Sequence, residues 1–200
     1  MHNTLKTPPM KSESPNLSAE QSLDIITTMI HQAKGNARRN SFYFLLWGWV
    51  VAIANVGMFL LSQLDYSRPY IVWLITIPAW ILSLYKGFRQ NRQDQIHTHL
   101  DSISIALWFS FAVCIFTVIG FGYKINYQIS PVILLVSAIP TVVSGVVFRF
   151  RPLLIGGILF WLCGIACFLV GAAYQPLVGA VAIAGGYLIP GYMLQRKKED

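Results

Sequence analysis

The residues with the clearest potential for chemistry are four polar side chains in one short segment: Asp94, His97, His99 and Asp101. Carboxylate oxygens and imidazole nitrogens bind divalent metal ions, so this segment is a candidate metal site. Histidine also titrates near neutral pH, which makes a pH sensor a second interpretation. Because His97 and His99 are only two residues apart, they would point in different directions on a helix. We therefore expect a solvated loop here, with no bound metal or cofactor.

The three cysteines, Cys114, Cys163 and Cys167, lie within apolar stretches rather than in polar loops. Cys163 and Cys167 share a helix face, but no histidine lies near them in the sequence to complete a metal site. Buried cysteine usually behaves as a small apolar side chain. The sequence also lacks a convergent Ser/His/Asp set and a phosphate-binding Gly-rich loop. We therefore expect a protein that is not an enzyme.

The elements that must position these residues are apolar helices. Of the 200 residues, 55% are hydrophobic and 12% are charged, whereas soluble domains carry about 25% charged residues. A bilayer covers far more apolar surface than one soluble core can, and runs of about 20 uncharged residues are long enough to cross it. The sequence predicts an all-α, polytopic membrane protein with six spans, at about residues 42–64, 69–87, 102–123, 129–148, 152–173 and 176–195.

The basic residues predict the orientation of this membrane domain, residues 41–195. Of the 15 Lys and Arg residues, Arg68 and Lys124 fall in loops on one side, and all the others fall on the side of the two termini. Basic residues concentrate in the cytoplasmic segments of membrane proteins, so we expect both termini to be cytoplasmic. Residues 196–200 then form a short charged tail. Because the net charge of +7 comes from membrane-flanking segments, we expect a lipid bilayer and no nucleic acid as a partner.

The polar N-terminal segment has two parts. Residues 1–17 are rich in proline and small polar residues and predict a disordered tail. Residues 18–40 predict a cytosolic amphipathic helix with Ser18 as its N-cap. The apolar stripe of this helix would engage a cytoplasmic partner, another copy of the chain or the membrane surface. This candidate interaction face consists of Leu23, Ile26, Met29, Ile30 and Ala33.

A threefold pattern runs through the predicted spans. Trp47, Trp108 and Trp161 lie in the odd-numbered spans, and an Ile-Pro pair lies in each even-numbered span. Three copies of one proline-kinked helical hairpin would explain the pattern, and broken helices with internal repeats are a transporter feature. Chance is the other explanation, since proline is common in membrane helices. The alternative function is therefore a small-molecule transporter or channel. Its candidate cavity or hinge residues are Asn55, Pro78, Pro140 and Pro190.

Small residues in the last two spans predict close helix packing. Gly157, Gly164 and Gly171 recur every seven residues, and Ala182 and Gly186 form a pair with three residues between them. Because small residues let helix backbones approach closely, we expect the fifth and sixth spans to form a tight hairpin.

Two neighbouring segments carry a family resemblance. Residues 22–30 read Ser-Leu-Asp-Ile-Ile-Thr-Thr-Met-Ile, and residues 44–49 read Phe-Leu-Leu-Trp-Gly-Trp. In these segments the chain resembles uncharacterised small multi-pass inner-membrane proteins of Bacteroidota-type bacteria, which have a cytosolic N-terminal helix followed by a membrane bundle. The resemblance implies a location in the bacterial inner membrane. It carries over no catalytic residue, because that group has no assigned chemistry.

Overall fold

The computed structural model describes the backbone of residues 19–91 and 99–196, and the side chains of residues 41–89 and 103–196. The described backbone is helical and contains no strand, which confirms the all-α prediction. The chain divides into two units, residues 1–36 and residues 37–200. The α-helices are α1 (Ala19–Gln63), α2 (Thr76–Asn91), α3 (His99–Gly120), α4 (Ile129–Val147), α5 (Arg151–Leu169), α6 (Gln175–Ile183) and α7 (Ile189–Arg196).

Six segments of the described chain are long and apolar enough to cross a membrane. They are Ser41–Gln63, Pro69–Arg89, Ile103–Gly120, Ile129–Val147, Arg151–Leu169 and Gln175–Arg196. They confirm the prediction of a multi-pass membrane protein with six spans. The predicted N-terminal helix and first span fall within one helix, α1. The apolar face of residues 18–40 stays a prediction, because those side chains lie outside the described residues.

The second span is made of two kinds of helix. It begins with a 3-10 helix, Pro69–Ile75, and continues as α2. A 3-10 helix rises about 2.0 Å per residue, against about 1.5 Å in an α-helix, so the span covers about 35 Å. Pro78 lies in the first turn of α2, directly after the 3-10 helix. The uncharged run in this span is short, and its 3-10 segment lets the same number of residues cover a greater length.

A tight turn joins α4 to α5. Arg149 has a φ of 49°, in the left-handed region where glycine usually ends a helix. The N–H groups of Phe150 and Arg149 donate to the carbonyls of Gly145 (2.9 Å) and Val146 (3.1 Å). The turn brings the two helices together along an extensive contact. In the predicted threefold repeat, α4 and α5 belong to two different hairpins. Their contact does not test the repeat, which stays a prediction.

The sixth span contains a π-helical turn, Ala184–Leu188, between α6 and α7. In this turn the N–H of Ile189 donates to the carbonyl of Ala184, five residues earlier. Pro190 follows directly and has no N–H to donate, so a regular α-helix would lose a hydrogen bond there. A local widening of the helix is one way in which membrane helices accommodate proline.

The packed core lies in the last three spans. In the apolar windows of spans four, five and six, 44%, 39% and 44% of residues are buried, against 6% in span two and none in span three. Spans two and three therefore have almost no fully buried side chains and expose many apolar ones. In a membrane protein lipid covers such side chains, so this exposure carries no hydrophobic penalty.

Candidate functional site

Tyr187, in the π-helical turn, is buried and contacts side chains from four other helices. Its ring centroid lies 4.9 Å from that of Phe160 on α5, 5.6 Å from Phe44 on α1 and 6.5 Å from Trp108 on α3. Its hydroxyl lies 3.3 Å from Oγ1 of Thr141 on α4. These five residues, called the aromatic core below, join every span except the second.

Helix α4 contributes a row of buried hydroxyl groups. Thr141 donates to the carbonyl of Ser137 at 2.7 Å, which leaves its oxygen to accept from the Tyr187 hydroxyl. Ser137 donates in turn to the carbonyl of Leu134 at 2.9 Å. Oγ of Ser144 is buried and has no partner among the described residues. Because these groups are neutral hydroxyls, the aromatic core offers packing and hydrogen bonding rather than acid-base chemistry.

The structure places the four predicted cavity or hinge residues in separate environments. Pro78 is exposed on the second span, whereas Pro140 on α4 and Pro190 on α7 are buried. Asn55 is buried on α1 and donates through Nδ2 to the carbonyl of Val51 at 2.9 Å. A cavity of about 540 Å³ lies elsewhere, and none of the four residues lines it. Their role as a cavity or hinge stays a prediction.

Asn55 also fixes the approach of α1 to α6. A Cβ atom placed on Gly179 would lie 2.7 Å from Oδ1 of Asn55. The amide therefore occupies the space that a side chain at position 179 would need. Polar side chains of this kind commonly link helices within a membrane.

Replacing Gly179 with alanine is expected to destabilise the bundle by about 1–3 kcal/mol, because the new methyl group overlaps the Asn55 amide. Replacing Asn55 with alanine in the same chain removes the overlap. The cost of the double variant should therefore fall below the sum of the single costs by about 1 kcal/mol. A double-mutant cycle in a denaturing detergent titration measures this coupling, and strictly additive costs would contradict the contact.

The predicted metal ligands and interaction face lie mostly outside what the structure describes. Asp94 and His97 fall between the described segments, and His99 and Asp101 belong to α3 without described side chains. Elsewhere in the described chain, no three His, Cys, Asp or Glu side chains group closely enough to hold a metal. Helix α1 includes the backbone of the interaction face, whose side chains are likewise undescribed: Leu23, Ile26, Met29, Ile30 and Ala33.

A polar contact that the sequence did not predict links α4, α5 and α6 at one end of the bundle. Gln175 is buried, and its Nε2 donates to Oε1 of Gln128 at 2.8 Å and to the carbonyl of Cys167 at 3.2 Å. The side chain thus satisfies a carbonyl in the last turn of α5, where no helical partner remains. Gln128 and Gln175 lie at the edges of two apolar runs, and this placement was the sequence feature that could have suggested a polar contact. That the two side chains meet depends on the fold.

The opposite end of the bundle, called the basic end below, carries five cationic residues at helix ends: Lys86, Arg89, Arg149, Arg151 and Arg196. The cavity of about 540 Å³ opens at this end, between the first, second and sixth spans. Nζ of Lys86 lies there, 3.1 Å from the ring centroid of Phe42. The indole N–H of Trp49 donates to the hydroxyl of Tyr192 at 3.0 Å and ties α1 to α7 beside the cavity. Sequence reasoning assigned Lys86 only a flanking role.

No family model, curated protein or solved structure matches this chain. The class of protein therefore follows from the fold alone. Six helices are long and apolar enough to cross a membrane, and five of them meet at the buried aromatic core; this is a multi-pass α-helical membrane protein of the lipid bilayer.

Proposed function

We propose that this chain is a non-enzymatic, membrane-anchored interaction protein of the bacterial inner membrane. Its six spans serve as the anchor, and its N-terminal helix pairs on the cytoplasmic side with a helix of another polypeptide. The observation that carries the proposal is the apolar stripe on the N-terminal part of α1. The described backbone is helical from Ala19 onward, as the stripe requires.

The spacing of the stripe supports helix pairing. Leu23, Ile26, Ile30, Ala33 and Ala37 follow one another at intervals of three and four residues. On an α-helix this spacing aligns them in one seam, which Met29 of the candidate interaction face widens, and two helices can pack together along such a seam. A second helix that covers the seam would bury its apolar area.

The charges beside the stripe give less support to a helix lying on the membrane surface. Helices of that type carry basic residues along the polar face, which attract anionic lipids. Here the first turns carry Glu20 and Asp24, and the basic residues Lys34, Arg38 and Arg39 follow only near the first span. Anionic lipids would repel the acidic turns.

A small-molecule transporter remains the alternative, and the packing supports it less well. A carrier needs a polar passage near the middle of the membrane. In the described bundle Phe160, Thr141 and Leu153 are fully buried, and Tyr187 packs among four helices. Side chains thus fill the space between the spans where Pro140 lies.

The orientation of the proposed anchor follows the basic end. Lys86, Arg149 and Arg196 lie at the ends of even-numbered spans, on the side of the two termini. Because basic residues concentrate in cytoplasmic segments, this distribution supports cytoplasmic termini. The seam would then face soluble cytoplasmic proteins and the same helix of neighbouring copies.

The test is a pair of matched double substitutions in the full chain. Ile26→Asp with Ile30→Asp places two charges in the seam, whereas Thr28→Asp with Gln32→Asp places two charges on the opposite face. We expect the seam variant to lose its associated protein and the control to retain it, because a buried unpaired carboxylate costs several kcal/mol.

Light scattering of the detergent-solubilised protein gives the mass of the complex and separates a second copy from a different protein. Crosslinking in native membranes, followed by purification, identifies what is attached. If the seam variant and the control retain the same mass and the same crosslinked products as the unmodified chain, the N-terminal helix is not the interaction surface.

A further inference from the structure

We draw no further inference here: the strongest candidate, the exposed face of small side chains that Ala106, Ser110, Cys114 and Thr117 form along the third span, lies within the membrane, and nothing in the structure shows what covers it.

Discussion

Replacing Tyr187 with alanine is expected to destabilise the folded protein by about 3 kcal/mol, and replacing it with phenylalanine by about 1 kcal/mol. Alanine removes a ring that contacts Phe160, Phe44 and Trp108, and leaves a cavity among helices that cannot all close around it. Phenylalanine keeps these ring contacts and loses only the hydrogen bond to Thr141. The ratio of the two costs thus separates packing from hydrogen bonding.

Cysteine reactivity during a denaturing detergent titration measures this cost. Cys163 and Cys167 are buried, so they react with a maleimide only after the bundle opens. Cys114 is exposed and is first replaced with serine. Tyr85→Ala is the matched control, because Tyr85 is 63% exposed and its loss should change the unfolding midpoint little. Equal midpoints for Tyr187→Ala and Tyr85→Ala would show that the aromatic core does not stabilise the fold.

Replacing Gly156 with alanine is expected to cost about 3 kcal/mol, at the upper end of the usual cost of overpacking. A Cβ atom at position 156 would lie 2.8 Å from the carbonyl oxygen and 2.9 Å from the Cα of Gly186 in the π-helical turn. Both atoms belong to the backbone, so no side-chain rotation relieves the overlap. The two helices must separate, and the contacts of Tyr187, the residue after Gly186, separate with them.

Two other glycines calibrate this result. A Cβ atom on Gly185 would meet the far end of the Leu159 side chain, which can rotate away, so Gly185→Ala should cost less than Gly156→Ala. A Cβ atom on Gly120 has no heavy atom within 4 Å, so Gly120→Ala should be neutral. Thermal unfolding in detergent gives the order of the three. Because alanine is the better helix former, helix propensity would stabilise all three variants, and similar losses in the three would show that the contact with the Gly186 backbone does not set the cost.

The spans were predictable because the bilayer imposes a length and excludes charge. Uncharged runs bounded by residues such as Arg68 and Lys124 predicted six spans, and the described chain has six helices long and apolar enough to cross a membrane. The 3-10 helix at Pro69–Ile75 was not predicted, since no simple sequence pattern separates it from an α-helix. The sequence of the π-helical turn contains Gly185-Gly186 ahead of Pro190. This pattern indicates a flexible point in the helix, but it does not indicate which type of helix forms there.

The interior of the bundle was not predictable, because lipid removes the usual difference between inside and outside. Phe109 is 70% exposed and Phe160 is fully buried, although both lie in uncharged apolar helices. The glycine pattern shows the same difficulty. The fifth and sixth spans do approach closely, but through Gly156 and Gly186, whereas Gly157 faces Val142 on α4. The period of a sequence pattern identifies one face of a helix, but only the fold shows which helix packs against that face.

The hydrogen bond between Trp49 and Tyr192 joins residues 143 positions apart in the chain. Ribosomes add about 5–20 residues per second, so the first span waits about 7–30 s in the bilayer before the last one is made. During that interval the amide of Asn55 already has a partner in the carbonyl of Val51 on its own helix. One donor of the amide that later meets Gly179 is therefore satisfied before the sixth span exists, which lowers the cost of placing the first span in lipid.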